Sequence, residues 1–197
     1  MYIASIVLCV IIISIINVFA VAPVINYSVL EIVFWPIIGT VIVIAIDGLL
    51  AYIVRHKLPE KYFSIEKKHF IASKRESIFY EKIGIKKWKD KVLELGSFAG
   101  FRKNKLTDPT NNEYVKRFIV ESNYGIGVHV SGIIIGFIVV FCCPKALWLT
   151  VGLPVAIVNV FYNFLSYAIL RYNLVKLHKL YRINEKRAQR EVSKIAS

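Results

Sequence analysis

His129 has the plainest capacity for chemistry in this 197-residue chain. A neutral imidazole takes a proton from a hydroxyl, which is the work of a general base, and this one sits about one turn inside an apolar stretch. The bland alternative is a histidine hydrogen-bonded between helices. Glu121 lies eight residues earlier. On one continuous helix that spacing is about 12 Å of rise and about 80° of rotation, so the two side chains would not touch. A direct Glu–His dyad therefore requires a break at Gly125 or Gly127. Without one, the two act at different depths, or Glu121 pairs with a cation such as Lys116 or Arg117.

Asn159, Asn163, Tyr167 and Arg171 follow at i, i+4 spacing and share one helix face. A polar stripe on an apolar helix belongs in a bundle interior or a wet cavity. Arg171 at its end could hold a phosphate or a carbonyl oxygen, or could simply begin a basic tail. Asp47 is a further ionisable group within an apolar stretch. It is either functional or paired with Arg55 or Lys57. A loop dense in Lys, Trp and Asp supplies Trp88, Lys89 and Asp90 as binding candidates, and Lys86, Lys87 and Lys89 could hold donor phosphates. The three cysteines, Cys9, Cys142 and Cys143, all lie in apolar stretches without metal-ligand spacing, so no metal site is expected.

The elements that must position these groups are membrane helices. Apolar residues make up 56% of the chain and mean hydropathy is +0.56, well above a soluble domain. Four segments, at about 3–24, 29–54, 124–143 and 146–170, are long enough to cross a hydrocarbon core of ~30 Å. The Phe19-Ala20-Val21-Ala22 run is similar to a signal-peptide cleavage site. With no basic residue before it, a retained helix is the expectation. Gly132 and Gly136 form a GxxxG pair, which predicts close helix contact.

Charge placement gives the orientation. No Lys or Arg precedes Arg55, seventeen fall from Arg55 to Arg117, one is Lys145, and eight lie from Arg171 onward. The positive-inside rule then makes the 55–123 insert and the 171–197 tail cytoplasmic, with both termini inside. The net charge of +13 fits attraction to anionic headgroups; no nucleic-acid recognition motif accompanies it. Residues 57–79 mix cations with Tyr62, Phe63, Ile65, Phe70, Ile71, Ile78 and Phe79. That mixture suits an amphipathic segment in the headgroup plane or an ordinary packed helix. Residues 82–95 carry Trp88, Val92 and Leu95 at roughly helical spacing, with Gly96 as a stop. The fold class expected is an all-α integral membrane domain: four transmembrane helices, with a basic, amphipathic, helical cytoplasmic segment between the second and third.

Several ordered pieces carry a family resemblance. One is Tyr80-Glu81-Lys82-Ile83-Gly84 leading into Lys87-Trp88-Lys89-Asp90, with Glu94 and Gly96 after it. Another is Phe118-Ile119-Val120-Glu121-Ser122 followed by His129. The last is Asn163, then Arg171-Tyr172-Asn173 and a basic tail. From about Phe79 to Arg182, the chain resembles the small membrane acyltransferases typified by glycosyl-4,4′-diaponeurosporenoate acyltransferase of staphyloxanthin biosynthesis. It departs at Tyr124 and Ile126, where members tend to carry an arginine and a second acid, and at Leu170 and Leu174-Val175.

The resemblance implies transfer of a fatty acyl group to a sugar hydroxyl of a membrane glycolipid such as a glucosylated carotenoid. It makes His129 and Glu121 the catalytic candidates. Trp88, Lys89, Asp90, Asn163, Arg171 and Asn173 become the substrate-binding or scaffold candidates. No bound cofactor is expected; acyl-CoA or a similar thioester would be the co-substrate. The competing expectation is a non-enzymatic scaffold or lipid-binding accessory protein.

Overall fold

The computed structural model describes residues 2–25, 27–92 and 106–195. Among the described residues the chain is helical, without strands. Four helices are long and apolar enough to cross a membrane: Ile3–Ala20, Val29–His56, Asn112–Cys142 and Lys145–Lys194. At ~1.5 Å of rise per residue, each meets the thickness of a hydrocarbon core. Much of their surface is apolar and uncovered, with Leu8, Ile12, Phe19, Leu30 and Val41 all exposed. In water that would be a liability; in lipid it is the surface that needs no partner.

Local chemistry sets the helix ends. Ser28 and Glu31 form a reciprocal capping box: the Glu31 carboxylate accepts from the Ser28 N–H at 2.9 Å, and the Glu31 N–H donates to Ser28 Oγ at 3.3 Å. Pro36 lies inside the Val29–His56 helix, where Thr40 Oγ1 donates to its carbonyl at 2.8 Å. That helix stops at His56, ahead of Leu58-Pro59. Asn111 opens the Asn112–Ile135 helix by accepting from the Tyr114 N–H at 3.1 Å.

The chain divides into two compact units, Met1–Val54 with Val128–Leu165, and Arg55–Gly127 with Ser166–Ser197. The first unit packs Ile13, Val43, Val139, Leu147, Val151 and Val155. Its hairpin is tight: a Cβ on Gly152 would lie 2.8 Å from the Val140 Cα, so glycine is required there. A π-turn, Trp148–Gly152, opens the helical ladder, and Asn17 Nδ2 reaches across to the Thr150 carbonyl at 2.7 Å. Asn17 is thus a packing residue.

The second unit differs from the expected amphipathic helix. Residues 57–73 hold only two single turns, Glu60–Tyr62 and Lys68–Phe70, before the Lys74–Lys82 helix. Phe63 and Phe70 are buried, with Phe63 against Tyr124 at 4.3 Å between ring centroids, whereas Tyr62, Ile71, Ile78 and Phe79 are exposed. Nor is 82–95 one helix. Gly84 adopts a left-handed conformation at φ 75, which ends one helix and starts the short Ile85–Trp88 turn. Leu95, Glu94 and Gly96 lie outside the described residues. Tyr80, Ile85, Ala168, Ile169 and Tyr172 form this unit's apolar centre, with Trp88 packed on it.

Candidate functional site

Asn163 organises a buried polar cluster in the first unit. Its Nδ2 donates to Asp47 Oδ2 at 3.0 Å, to the Asn159 carbonyl at 3.2 Å and to Asn159 Oδ1 at 2.9 Å. These partners are acceptors, so the amide has one orientation. Its Oδ1 must then face His129, whose Nδ1 lies 2.8 Å away. A carbonyl oxygen only accepts. His129 therefore carries its proton on Nδ1 and its lone pair on Nε2, the tautomer that a general base needs.

The glycine pair makes room for this cluster. Asn159 Nδ2 donates to the Gly132 carbonyl at 3.2 Å. A Cβ on Gly132 would fall 2.5 Å from Asp47 Oδ1 and 2.9 Å from Asn163 Oδ1, and one on Gly136 would collide with Asn159 Nδ2. The GxxxG pair thus seats polar side chains rather than a bare helix backbone. Gly132→Ala is expected to cost about 1–3 kcal/mol through overpacking. It should also lower activity at temperatures where the protein stays folded, as thermal melting and turnover measured together would show.

Asp47 pairs with neither Arg55 nor Lys57: one carboxylate oxygen binds Asn163 and the other, buried, has no hydrogen-bond partner among the described residues. Arg55 instead makes a bidentate pair with Glu121, at 2.9 and 2.8 Å. Neither Lys116 nor Arg117 is needed for that. The Asn112–Ile135 helix runs unbroken through Gly125 and Gly127, so the break on which a Glu121–His129 dyad depended is absent.

Arg171 lies in the second unit, in a cluster of its own. Its Nε and Nη2 donate to Glu76 at 2.7 and 2.6 Å, and Nη1 donates to the His69 carbonyl at 2.9 Å. Glu76 is the N3 residue of the capping box Ser73-Lys74-Arg75-Glu76, with Ser73 Oγ accepting from its N–H at 3.1 Å. Burial pushes the Glu76 carboxyl up, but the hydrogen bonds and charge of Arg171 outweigh it and hold the group below its ordinary 4.5. The Tyr80 hydroxyl, which donates to Glu76, is pushed well above its ordinary value by burial and by the carboxylate's charge.

The sign of the Glu76 shift gives a pH dependence. A depressed folded pKa stabilises above 4.5 and loses that contribution as pH falls through the lower folded value. The stability gap between wild type and Glu76→Gln should be constant from about pH 7 to pH 5 and then shrink, as melting in detergent across that range would show.

The other loop candidates are placed individually. Trp88 Nε1 donates to the Ile83 carbonyl at 3.2 Å, and exposed Asp90 pairs with Lys89 at 3.1 Å. Lys86 pairs with Glu81, which also accepts from the Tyr172 hydroxyl at 2.9 Å. The Lys86 and Tyr172 hydrogen bonds lower the Glu81 carboxyl. Asn173 is half-buried. The Ser28 and Ser73 boxes were readable as S-x-x-E, and the second would have pointed to Glu76; nothing local in sequence marks Arg55 as the partner of Glu121.

The profile of the glycosyl-4,4′-diaponeurosporenoate acyltransferase family matches residues 59–183. The chain belongs to this family. It is accordingly a multi-pass membrane acyltransferase. The match begins at Pro59, earlier than the motifs at Tyr80, and takes in Glu76, Glu121, His129, Asn163 and Arg171. Arg55 and Asp47, partners that complete two of these clusters, precede the matched region of the acyltransferase. No curated protein and no solved structure matches the chain.

Proposed function

We propose that this acyltransferase moves a fatty acyl group from a thioester such as acyl-CoA to a sugar hydroxyl of a membrane glycolipid, of the glycosylated-carotenoid type. The observation that carries the proposal is the His129 tautomer fixed by Asn163. Nε2 takes the proton of the sugar hydroxyl as its oxygen attacks the thioester carbonyl carbon. A carbon–oxygen bond forms, the carbon–sulfur bond breaks, and the imidazolium returns the proton to the leaving sulfur. Asn163 Oδ1 holds the Nδ1 proton throughout, and the Asp47 carboxylate behind it offsets the positive charge that develops on the ring.

Glu121 acts in this reading as the anchor of Arg55, and Arg171 as a strut on Glu76. Trp88, Lys89, Asp90 and Asn173 form the surface beside the reaction's lipid partners, with the loop cations facing anionic headgroups on the cytoplasmic side of the cell membrane. Both termini share that side. The test is a purified-protein assay with acyl-CoA and a glycosylated lipid. Free thiol should appear in step with acylated glycolipid, one for one. Thiol release without an acylated lipid would mean hydrolysis, and no thiol with any thioester would remove acyl-CoA as the donor class.

A further inference from the structure

A cleft of ≈ 340 Å³ runs along the C-terminal part of the Leu153–Ile195 helix. Val175, His178, Lys179, Arg182 and Lys186 line it, together with Ile71 and Ala72 from the segment before the Lys74–Lys82 helix. The helix residues recur at i, i+3, i+4, i+7 and i+11, so they form one continuous face. Among the described residues, no acidic side chain lines the cleft. The ion pairs among the described residues engage Arg55, Lys86, Lys89 and Arg171, which leaves Lys179, Arg182 and Lys186 without a carboxylate.

His178 shapes the cleft between these cations. It is 9% exposed, and its Nδ1 donates to the Leu174 carbonyl at 2.9 Å. The ring thus lies between the Leu174 and Ile65 carbonyls, which fixes it as a wall of the cleft. The three cations span seven residues, about 10 Å of helix rise, which is wider than one carboxylate and suits a phosphodiester or diphosphate.

We propose that this cleft binds the phosphate ester of a ligand, with the phosphate against Lys179, Arg182 and Lys186. Two sources share that chemistry: a coenzyme A thioester, and a phospholipid with a glycerol headgroup. The site uses no residue of the His129 cluster, and binding is read without turnover, so it stands or falls apart from the acyl-transfer reading. It also supplies the anion site that the loop lysines supply less well, since Lys86 and Lys89 already have carboxylate partners.

The test uses the full chain in nanodiscs. One arm titrates coenzyme A into discs of phosphatidylcholine alone; the other counts phosphatidylglycerol retained from mixed discs by native mass spectrometry. Arg182→Gln and Lys179→Gln, both at exposed positions, should each weaken binding about tenfold in one arm, the scale of losing one charge-assisted hydrogen bond. Lys145→Gln, at an exposed position in the first unit, should leave it unchanged. An effect in the coenzyme A arm assigns the cleft to the thioester, and one in the lipid arm assigns it to a headgroup. No difference between Arg182→Gln, Lys179→Gln and wild type in either arm overturns the proposal.

Discussion

Replacing His129 by alanine should lower acyl transfer by about 10²–10⁴-fold, the contribution of a well-placed general base. The chain should remain folded, because the ring is only part-buried at its Asn163 contact. Asn163→Ala should fall between the two, since it frees the tautomer without removing the base. Asp47→Asn should be milder again, because it keeps the shape and removes only the charge behind the amide. The three should be strongly non-additive: on a His129→Ala background, the other two changes should cost little further activity. Initial rates of the single and double variants, normalised to folded protein, decide this. Full additivity would mean that Asn163 and Asp47 act elsewhere than through the imidazole.

The second large effect is on stability. Arg55→Ala leaves the Glu121 carboxylate, 9% exposed, without its bidentate partner. Breaking a buried pair on one side costs about 3–5 kcal/mol. Arg55 is itself 28% exposed, so solvent screening should bring the loss below that range, to about 2–3 kcal/mol. The double replacement Arg55→Met with Glu121→Leu should recover most of that loss, since no lone charge remains buried. Unfolding in detergent by denaturant measures both. A double variant as unstable as Arg55→Ala would place the loss in packing rather than in charge.

Much of the fold could be read directly. Four apolar stretches of membrane length became four long helices, because hydrophobic length is a one-dimensional property of the chain. The Asn159–Asn163 contact followed from the i, i+4 spacing and from the rule that polar side chains in lipid seek each other, whereas nothing local paired Asn163 with His129. What could not be read was partner choice. Asp47 lies 116 residues from Asn163, and Arg55 lies 66 from Glu121, and no local pattern distinguishes these pairs from nearer ones. The turns at 57–73 were misread as helix because aromatic and cationic residues mix there without a period. Gly84 was the missed stop within 82–95, since only the backbone shows that its φ is positive.

The most direct test compares the lipids of cell membranes holding wild-type protein with those holding His129→Ala, by mass spectrometry. A glycolipid that gains the mass of a fatty acyl group with wild type alone, at equal protein levels, is the expected outcome and would name the acceptor. The same acylated glycolipid at equal abundance with His129→Ala would contradict the assignment of the imidazole as the base.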